Sequence, residues 1–248
     1  MIAALGRGDL TLVALIVAVA ACAQMVSGFG FALMAVPLMG LAIDLKTAVV
    51  VSTICGTASN TYQAVTDREH RDGRMVRVLV VASFIGMPFG VFILDRVGVD
   101  TLRIVIGVFV LLALVAVMSD RQPREFGGQA IEVAAGILSG VLATSTSTNG
   151  PPLVLLLRAR GLTPAVFRAT INTVFCVVAV VSIAAFAIAG RISSEVLVGS
   201  LVALPGLVIG VVVGGRLRGL LTDTIFWRLV AVLLAATATS SIAAGITG

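Results

Sequence analysis

Residues 144–152, with the sequence T-S-T-S-T-N-G-P-P, decide how this chain folds, because they interrupt a strongly apolar region and cannot continue a lipid-facing helix. Each proline lacks a backbone N–H, and a proline beyond the first helical turn clashes with the carbonyl four residues before it. The hydroxyls and the asparagine amide would be costly in hydrocarbon without hydrogen-bond partners. Irregular backbone at membrane depth persists only where protein buries it or where it lines a watery cavity. We therefore interpret this stretch as the centre of the molecule.

The composition of the whole chain indicates an all-α, polytopic helical membrane protein. Of its 248 residues, 59% are hydrophobic and 12% are charged, whereas about a quarter of the residues in a soluble domain are charged. The mean hydropathy is +1.15, and apolar runs of roughly 20 residues, each long enough to span a bilayer, recur along the chain. The net charge of +5 fits cytoplasmic loops on anionic lipid. No basic run is interleaved with aromatic residues, so we expect no nucleic-acid partner.

Breakers and charged loops divide the apolar sequence into two similar halves, 1–120 and 121–248, which together form one integral membrane domain. In the first half, Ser27-Gly28-Phe29-Gly30 and then Pro37 interrupt one long apolar region, which predicts helices over 10–27 and 30–42. In the second half, the break at 144–152 follows an apolar run over 130–143 and precedes a short one over 153–157. The other predicted elements are spans at 47–65, 76–94, 104–118, 169–189, 196–213 and 229–246, a polar linker at 119–129 and an interfacial helix at 222–227.

Two topologies compete for these halves. Broken segments that each cross once give eight spans and parallel halves, with the 17 basic residues divided 8 to 9 between the faces. Broken segments that return as re-entrant hairpins give two inverted repeats, each with a broken or re-entrant helix plus three transmembrane helices. This second topology places 12 of the 17 on one face, so the positive-inside rule favours it, with both termini outside. These twelve are Arg68, Arg71, Arg74, Arg77, Arg121, Arg124, Arg158, Arg160, Arg168, Arg216, Arg218 and Arg228.

The broken segments also carry a resemblance to a known family. Gly-Ile-Leu-Ser-Gly at 136–140 leads into T-S-T-S-T-N-G-P-P-L-V-L-L-L at 144–157, and Ser27-Gly28-Phe29-Gly30 with Pro37-Leu38 forms the partner signature. In these features the chain resembles the TauE/SafE family of sulfite and organosulfonate exporters over essentially its whole length. It departs from the family's commoner Gly-Gly-Gly form at Gly28-Phe29-Gly30. The resemblance implies a transporter of small anions, often sulfur oxyanions, sulfonates or other carboxylates.

Physical chemistry favours an anion at the same place. A helix that restarts after a break points its unsatisfied N–H groups and partial positive charge towards that break, and proline suits a first helical turn. Gly/Pro-interrupted segments at corresponding positions of two halves point to a transporter's binding site. We therefore predict a substrate site between the two breaks and the helices that follow them, with Lys46 and Arg168 attracting the anion. The predicted binding residues are Gln24, Ser27, Gly28, Gly30, Asn60, Ser145, Thr146, Ser147, Thr148, Asn149, Gly150 and Asn172.

Each of these interpretations has a structural alternative. The break at 144–152 could be only a turn, and the Ser27–Gly30 segment could serve helix packing alone. Asn60 and Asn172 could join helices without touching a ligand, and Lys46 and Arg168 could be snorkelling anchors at the membrane surface. No acidic residue lies clearly at mid-membrane, since the nearest, Glu132, is three residues into a span. A Na⁺ or H⁺ carrier would often show such a carboxylate, so ion coupling could be weak, indirect or absent.

The function that we predict is transport, with export as its direction, across the inner (plasma) membrane by a multi-pass protein. The partners would be a small anionic substrate and the lipid bilayer, with a homodimer left open. We expect no enzyme activity, cofactor or metal, because the sequence holds no Ser/His/Asp set and no Cys/His cluster. Two alternatives stay open: an anion channel on the same scaffold, which linear electrogenic flux would reveal, and a membrane assembly factor that transports nothing.

Overall fold

The chain is helical throughout the part that the computed structural model describes, which comprises residues 7–118 and 128–218 and the isolated positions 232, 235 and 239. The predicted interfacial helix at 222–227, the predicted span at 229–246 and most of the linker at 119–129 lie outside these residues. The described helices are α1 (Arg7–Ser27), α2 (Phe31–Met39), α3 (Leu45–Thr66), α4 (Gly73–Arg96), α5 (Val99–Met118), α6 (Gln129–Ser145), α7 (Gly150–Ala159), α8 (Pro164–Ile188) and α9 (Ser194–Leu217).

Length and composition make this an integral membrane protein. Four described segments are long and apolar enough to cross a bilayer: 10–27 of α1, all of α4, 165–188 of α8, and all of α9. Many of their large apolar side chains face outward, such as Phe89 at 63% and Leu201 at 64% exposure, as expected where the surroundings are lipid. The all-helical membrane architecture predicted from the sequence is therefore confirmed.

Both predicted breaks are present, and each follows from local backbone chemistry. The first break occupies three residues between α1 and α2, where Gly28 and Gly30 have φ of 82° and 96°. These angles strain any residue with a Cβ but not glycine. The second break, between α6 and α7, lies within 144–152 and comprises residues 146–149, because α6 ends at Ser145 and α7 begins at Gly150. Prolines 151 and 152 therefore lie in the first turn of α7, where a missing N–H leaves no helical hydrogen bond unmade.

The second broken segment is a hairpin. Arg160, which follows the last residue of α7, forms an ion pair with Glu132 in the first turn of α6. The chain therefore returns to the end of the molecule where α6 began. We call this end face A; it also carries the C-terminus of α3 and the N-termini of α4 and α8. The opposite end, face B, carries the C-terminus of α4 and the N-terminus of α9, which the ion pair between Asp95 and Arg191 joins.

The first broken segment also turns back on itself. The amide of Gln24, near the end of α1, contacts Asn60 in the second half of α3. After the break, Phe31 at the start of α2 faces Gly56 of α3, since a Cβ on that glycine would lie 3.3 Å from Phe31 Cδ1. The chain then reaches the start of α3 through residues 40–44, so α2 runs antiparallel to α3. The second topology predicted two re-entrant hairpins. The orientation of the two halves in the membrane stays a prediction.

Each hairpin is tied to a helix of the other half by very close parallel packing. A Cβ added to Gly140 of α6 would lie 1.9 Å from the carbonyl oxygen of Ser83 in α4, and one added to Gly206 of α9 would lie 2.0 Å from the carbonyl oxygen of Ala14 in α1. Such approach of two backbones is typical of small residues at membrane helix interfaces. The pairs α4–α6 and α1–α9 therefore hold the two hairpins in place, and α3 and α8 pack between them.

Candidate functional site

A cavity of about 40 Å³ lies where the two hairpin tips meet α3 and α8. One water needs roughly 10–15 Å³ on this measure of volume, so the cavity has room for about three small groups. Its walls combine amides, hydroxyls and apolar groups, and none of the described residues that line it is charged. The lining residues are Gln24, Gly30, Phe31, Ala32, Leu33, Ser52, Thr53, Gly56, Asn60, Ala143, Ser147, Thr148, Asn149, Gly150, Phe175, Val178, Ala179 and Ser182.

The N-termini of both short helices face this cavity. At α2 the first three helical residues, Phe31 to Leu33, all line it, and the N–H groups of a first helical turn have no partner within their own helix. At α7 the lining residues are Asn149 and Gly150, and the two prolines that follow have no N–H to offer. Hairpin α1–α2 thus presents backbone donors, whereas hairpin α6–α7 presents mainly side-chain donors, and both add the partial positive charge of a helix N-terminus.

Two buried side chains in the cavity wall carry polar atoms without a protein partner. Gln24 and Ser52 are each 1% exposed. The Gln24 amide nitrogen donates to Asn60 Oδ1, while Gln24 Oε1 and Ser52 Oγ have no hydrogen-bond partner. Buried polar groups are nearly always paired, and one left unpaired costs about 1–3 kcal/mol. Because these atoms lie in a cavity wall, they could form hydrogen bonds with a polar ligand.

The tip of hairpin α6–α7 is fixed by hydrogen bonds to its surroundings. Thr144 Oγ1 donates to the Met87 carbonyl at 2.7 Å, and Ser139 Oγ to the Asn149 carbonyl at 3.2 Å. Thr53 Oγ1 of α3 donates to Ser147 Oγ at 2.9 Å. Ser147 has φ of 59°, in the left-handed region that is rare for residues other than glycine. Such a conformation persists only where surrounding contacts enforce it.

Seven of the twelve predicted binding residues line the cavity: Gln24, Gly30, Asn60, Ser147, Thr148, Asn149 and Gly150. The other five do not. The hydroxyl of Ser27 bonds to backbone atoms of Ala23 and Phe29, and the hydroxyls of Ser145 and Thr146 donate to carbonyls one turn earlier in their helix. Gly28 packs against the Arg168 side chain. A binding role for these residues stays a prediction that their contacts do not favour.

Asn172 and the two predicted anion-attracting cations lie away from the cavity. The Asn172 amide donates to the carbonyl of Arg168 at 2.9 Å and approaches Gln63 Oε1 at 3.4 Å, so it joins α8 to α3 as its structural alternative proposed. Arg168 lies in the second turn of α8, towards face A. Its neighbour Phe167 meets Phe29 edge to face, with ring centroids 6.3 Å apart. Lys46 lies in the first turn of α3, at face B.

Several lining residues were not among the predicted ones. They include Ser52 and Thr53, in the predicted span at 47–65, and Phe175 and Ser182, in the predicted span at 169–189. The sequence held a signal for two of the residues that were not predicted. Thr53 and Gly56 are spaced from the predicted Asn60 so that all three lie on one helix face. Among the described residues, no group of three or more His, Cys, Asp or Glu side chains could hold a metal ion.

Comparison with known proteins matches this chain to one family over most of its length. The family model described as sulfite exporter TauE/SafE covers residues 13–241. The probable sulfite/organosulfonate exporter TauE of Cupriavidus necator is 25% identical in an alignment of 201 residues that covers 78% of this chain and 78% of that protein. No solved structure matches significantly. The resemblance identified in the broken segments is therefore confirmed.

Proposed function

This chain belongs to the TauE/SafE family of sulfite exporters, and we propose that it exports small anions, such as sulfite, organosulfonates or related carboxylates, across the inner membrane. The coarser part of this statement, an integral membrane transport protein, follows from the family and the four apolar spans. The finer part, the substrate and its site, rests on the cavity between the hairpin tips.

The observation that carries the proposal is the convergence of two helix N-termini on one neutral cavity. The ends of α2 and α7 approach it from the two hairpins, and hydroxyl and amide donors fill the space between them. Helix N-termini bind sulfate, phosphate and carboxylate groups through their free N–H groups and partial positive charge. A cation would meet the unfavourable end of both dipoles, and the cavity wall offers it no carboxylate. The site therefore favours an anionic ligand.

The volume of the cavity favours the smallest members of the substrate class. The cavity has room for about three small groups, and sulfite, with four non-hydrogen atoms, comes nearer to this size than the longer sulfonates do. An organosulfonate with a carbon chain would require the walls to move apart. We therefore expect sulfite or a carboxylate of similar size to be carried better than a longer sulfonate.

The lining residues also suggest how the site arose and works. Gly30 and Asn149, and likewise Phe31 and Gly150, are 119 residues apart, and Thr53, Gly56 and Asn60 of α3 lie 122 residues before Phe175, Val178 and Ser182 of α8. These pairs support two inverted halves that contribute equivalent positions to one site. In such transporters the substrate binds at the interface of the repeats, and relative movement of the helices exposes it to each side in turn.

Flux into proteoliposomes tests the proposal with a panel of sulfite, thiosulfate, taurine, sulfoacetate and short carboxylates. We expect saturable, counterflow-stimulated uptake of the smallest anions. Linear, electrogenic flux would favour a channel instead, and no flux under any gradient would leave an assembly factor as the better reading. Asn149→Ala should abolish uptake at unchanged expression, because Asn149 lines the cavity. Gln129→Ala, exposed at the start of the same hairpin, serves as the matched control.

A further inference from the structure

Glu132 is a buried carboxylate that the proposed site does not use. It lies in the first turn of α6 with 0% of its side chain exposed and pairs with two arginines. Arg74, in the first turn of α4, donates from both terminal nitrogens to the two carboxylate oxygens at 3.3 Å. Arg160, just after α7, donates to Oε1. One carboxylate therefore joins both ends of hairpin α6–α7 to each other and to α4.

Hairpin α1–α2 carries apolar residues where hairpin α6–α7 carries Glu132 and Arg160. At the same 119-residue spacing, Val13 corresponds to Glu132 and Leu41 to Arg160. Among the described ion pairs, none involves α1 or α2. The described contacts of the α1–α2 hairpin are instead its packing against α9, the packing of its tip against Phe167 and Arg168 of α8, and the contact between the Gln24 and Asn60 side chains.

The tips of the two hairpins differ in the same way as their bases, since the tip of hairpin α6–α7 is the more restrained. Prolines 151 and 152 fix φ in the first turn of α7, and the strained Ser147 is held by Thr53. The tip of the first hairpin instead has two glycines at positive φ, and a Cβ at Gly30 would meet nothing within 4 Å. The second hairpin is therefore restrained by ion pairs at its base and by prolines at its tip, whereas the corresponding positions of the first hairpin carry neither and its tip has two glycines.

We propose that Glu132 is a positioning residue that keeps hairpin α6–α7 as the fixed half of the site, so that the tip of hairpin α1–α2 is the half that moves. Breaking a buried ion pair by removing one partner leaves an uncompensated charge and is strongly destabilising. With Glu132 neutralised, Arg74 and Arg160 would no longer hold the base of the hairpin. The tip at 146–150 would then sample positions that do not complete the cavity.

Hydrogen–deuterium exchange of the purified protein in lipid nanodiscs tests this without any substrate. In the wild type, the amides of 146–150 should exchange more slowly than those of 28–34. Glu132→Gln should accelerate exchange at 146–150 by roughly tenfold or more, and Glu132→Asp, which keeps the charge, by less. Asp100→Asn, which breaks the half-exposed pair with Arg103, is the control and should leave both tips unchanged. Equal exchange of the two tips in the wild type overturns the proposal, as does a folded Glu132→Gln protein whose 146–150 amides exchange as in the wild type.

A transport measurement adds a second result, the KM for sulfite, that a purely structural role of Glu132 would not change. This second experiment rests on the proposed function. If only a fraction of molecules holds the second tip in place, the apparent affinity falls by that fraction. Glu132→Gln should then raise KM for sulfite while the maximal rate per folded molecule stays near the wild-type value. A lower maximal rate at unchanged KM would indicate a role in folding alone.

If the wild type carries no sulfite, the proposed function fails, whereas the exchange experiment still decides the role of Glu132. Should Glu132→Gln not fold, the wild-type comparison and Glu132→Asp carry the test.

Discussion

Ser52 gives the sharpest way to separate a ligand-binding hydroxyl from a structural one. Its side chain lies in the cavity wall, is 1% exposed and has no hydrogen-bond partner. Without a ligand, Ser52→Ala removes an unpaired buried polar group, which should stabilise the protein by about 1–3 kcal/mol. For a protein of this size each kcal/mol corresponds to roughly 2–4 °C, so the apo protein should melt several degrees higher.

With the anion bound, the same substitution should have the opposite effect. A hydrogen bond to a charged group contributes about 1.5–3 kcal/mol, and 1.4 kcal/mol is tenfold in affinity. The Kd for sulfite should therefore rise by about 10- to 150-fold in Ser52→Ala. Thermal unfolding in detergent with and without sulfite measures both effects on one sample, and equilibrium binding gives the Kd directly.

Ser59 provides a control on the same helix. It is also 1% exposed and unpaired, seven residues after Ser52 in α3, but it does not line the cavity. Ser59→Ala should raise the melting temperature of the apo protein similarly and leave the Kd unchanged. The reasoning is refuted if Ser52→Ala lowers apo stability, or if the two variants change the Kd for sulfite alike.

Three further predictions concern backbone and topology. Gly30→Ala should weaken sulfite binding and lower the melting temperature, because a Cβ at φ of 96° costs about 1–2 kcal/mol, although it meets no atom within 4 Å. Gly140→Ala should destabilise the protein by about 1–3 kcal/mol through overpacking against Ser83, which thermal unfolding measures; a melting temperature equal to the wild type would contradict the close packing. In a cysteine-free background, Gly98→Cys at face B should react with an impermeant thiol reagent in intact cells and Gly73→Cys at face A should not; the reverse pattern would exclude the orientation inferred from charge.

The sequence was a good guide to the helices and their breaks because the signals there are local. Glycine at 28 and 30 and proline at 151 and 152 restrict the backbone whatever surrounds them, and the observed breaks fall at these residues. Charge counting likewise favoured hairpins, because the arginines at 158 and 160 must stay near water. The start of α7 at Gly150 follows the same rule, since two prolines interrupt a helix in its interior but are compatible with its first turn.

The composition of the site was harder to predict because it depends on depth along each helix. Asn60 and Asn172 were grouped because each follows a broken segment. However, Asn60 lies 15 residues into α3, while Asn172 lies only eight residues into α8, and at 1.5 Å per residue this difference is about 10 Å. Asn172 therefore pairs with Gln63 beside the cavity, and Ser182 of α8 occupies the position that matches Asn60. Helix depth and facing determine which polar group meets the ligand, and a single sequence fixes neither.

If the chain carries anions as proposed, the lack of charge among the described residues of the cavity wall has a functional reason. Two unit charges 4 Å apart attract by about 4 kcal/mol at the effective dielectric constant near a protein surface, which corresponds to nearly a thousandfold in affinity. An arginine at the cavity would therefore hold the anion strongly and slow its release, whereas transport requires binding that is favourable on entry and weak enough for exit. Helix N-termini contribute about half a charge each and are spread over several N–H groups. Arg74, Arg160 and Arg168 lie towards face A instead, so under the proposed function they would raise the local anion concentration there while neutral donors at the hairpin tips set the affinity.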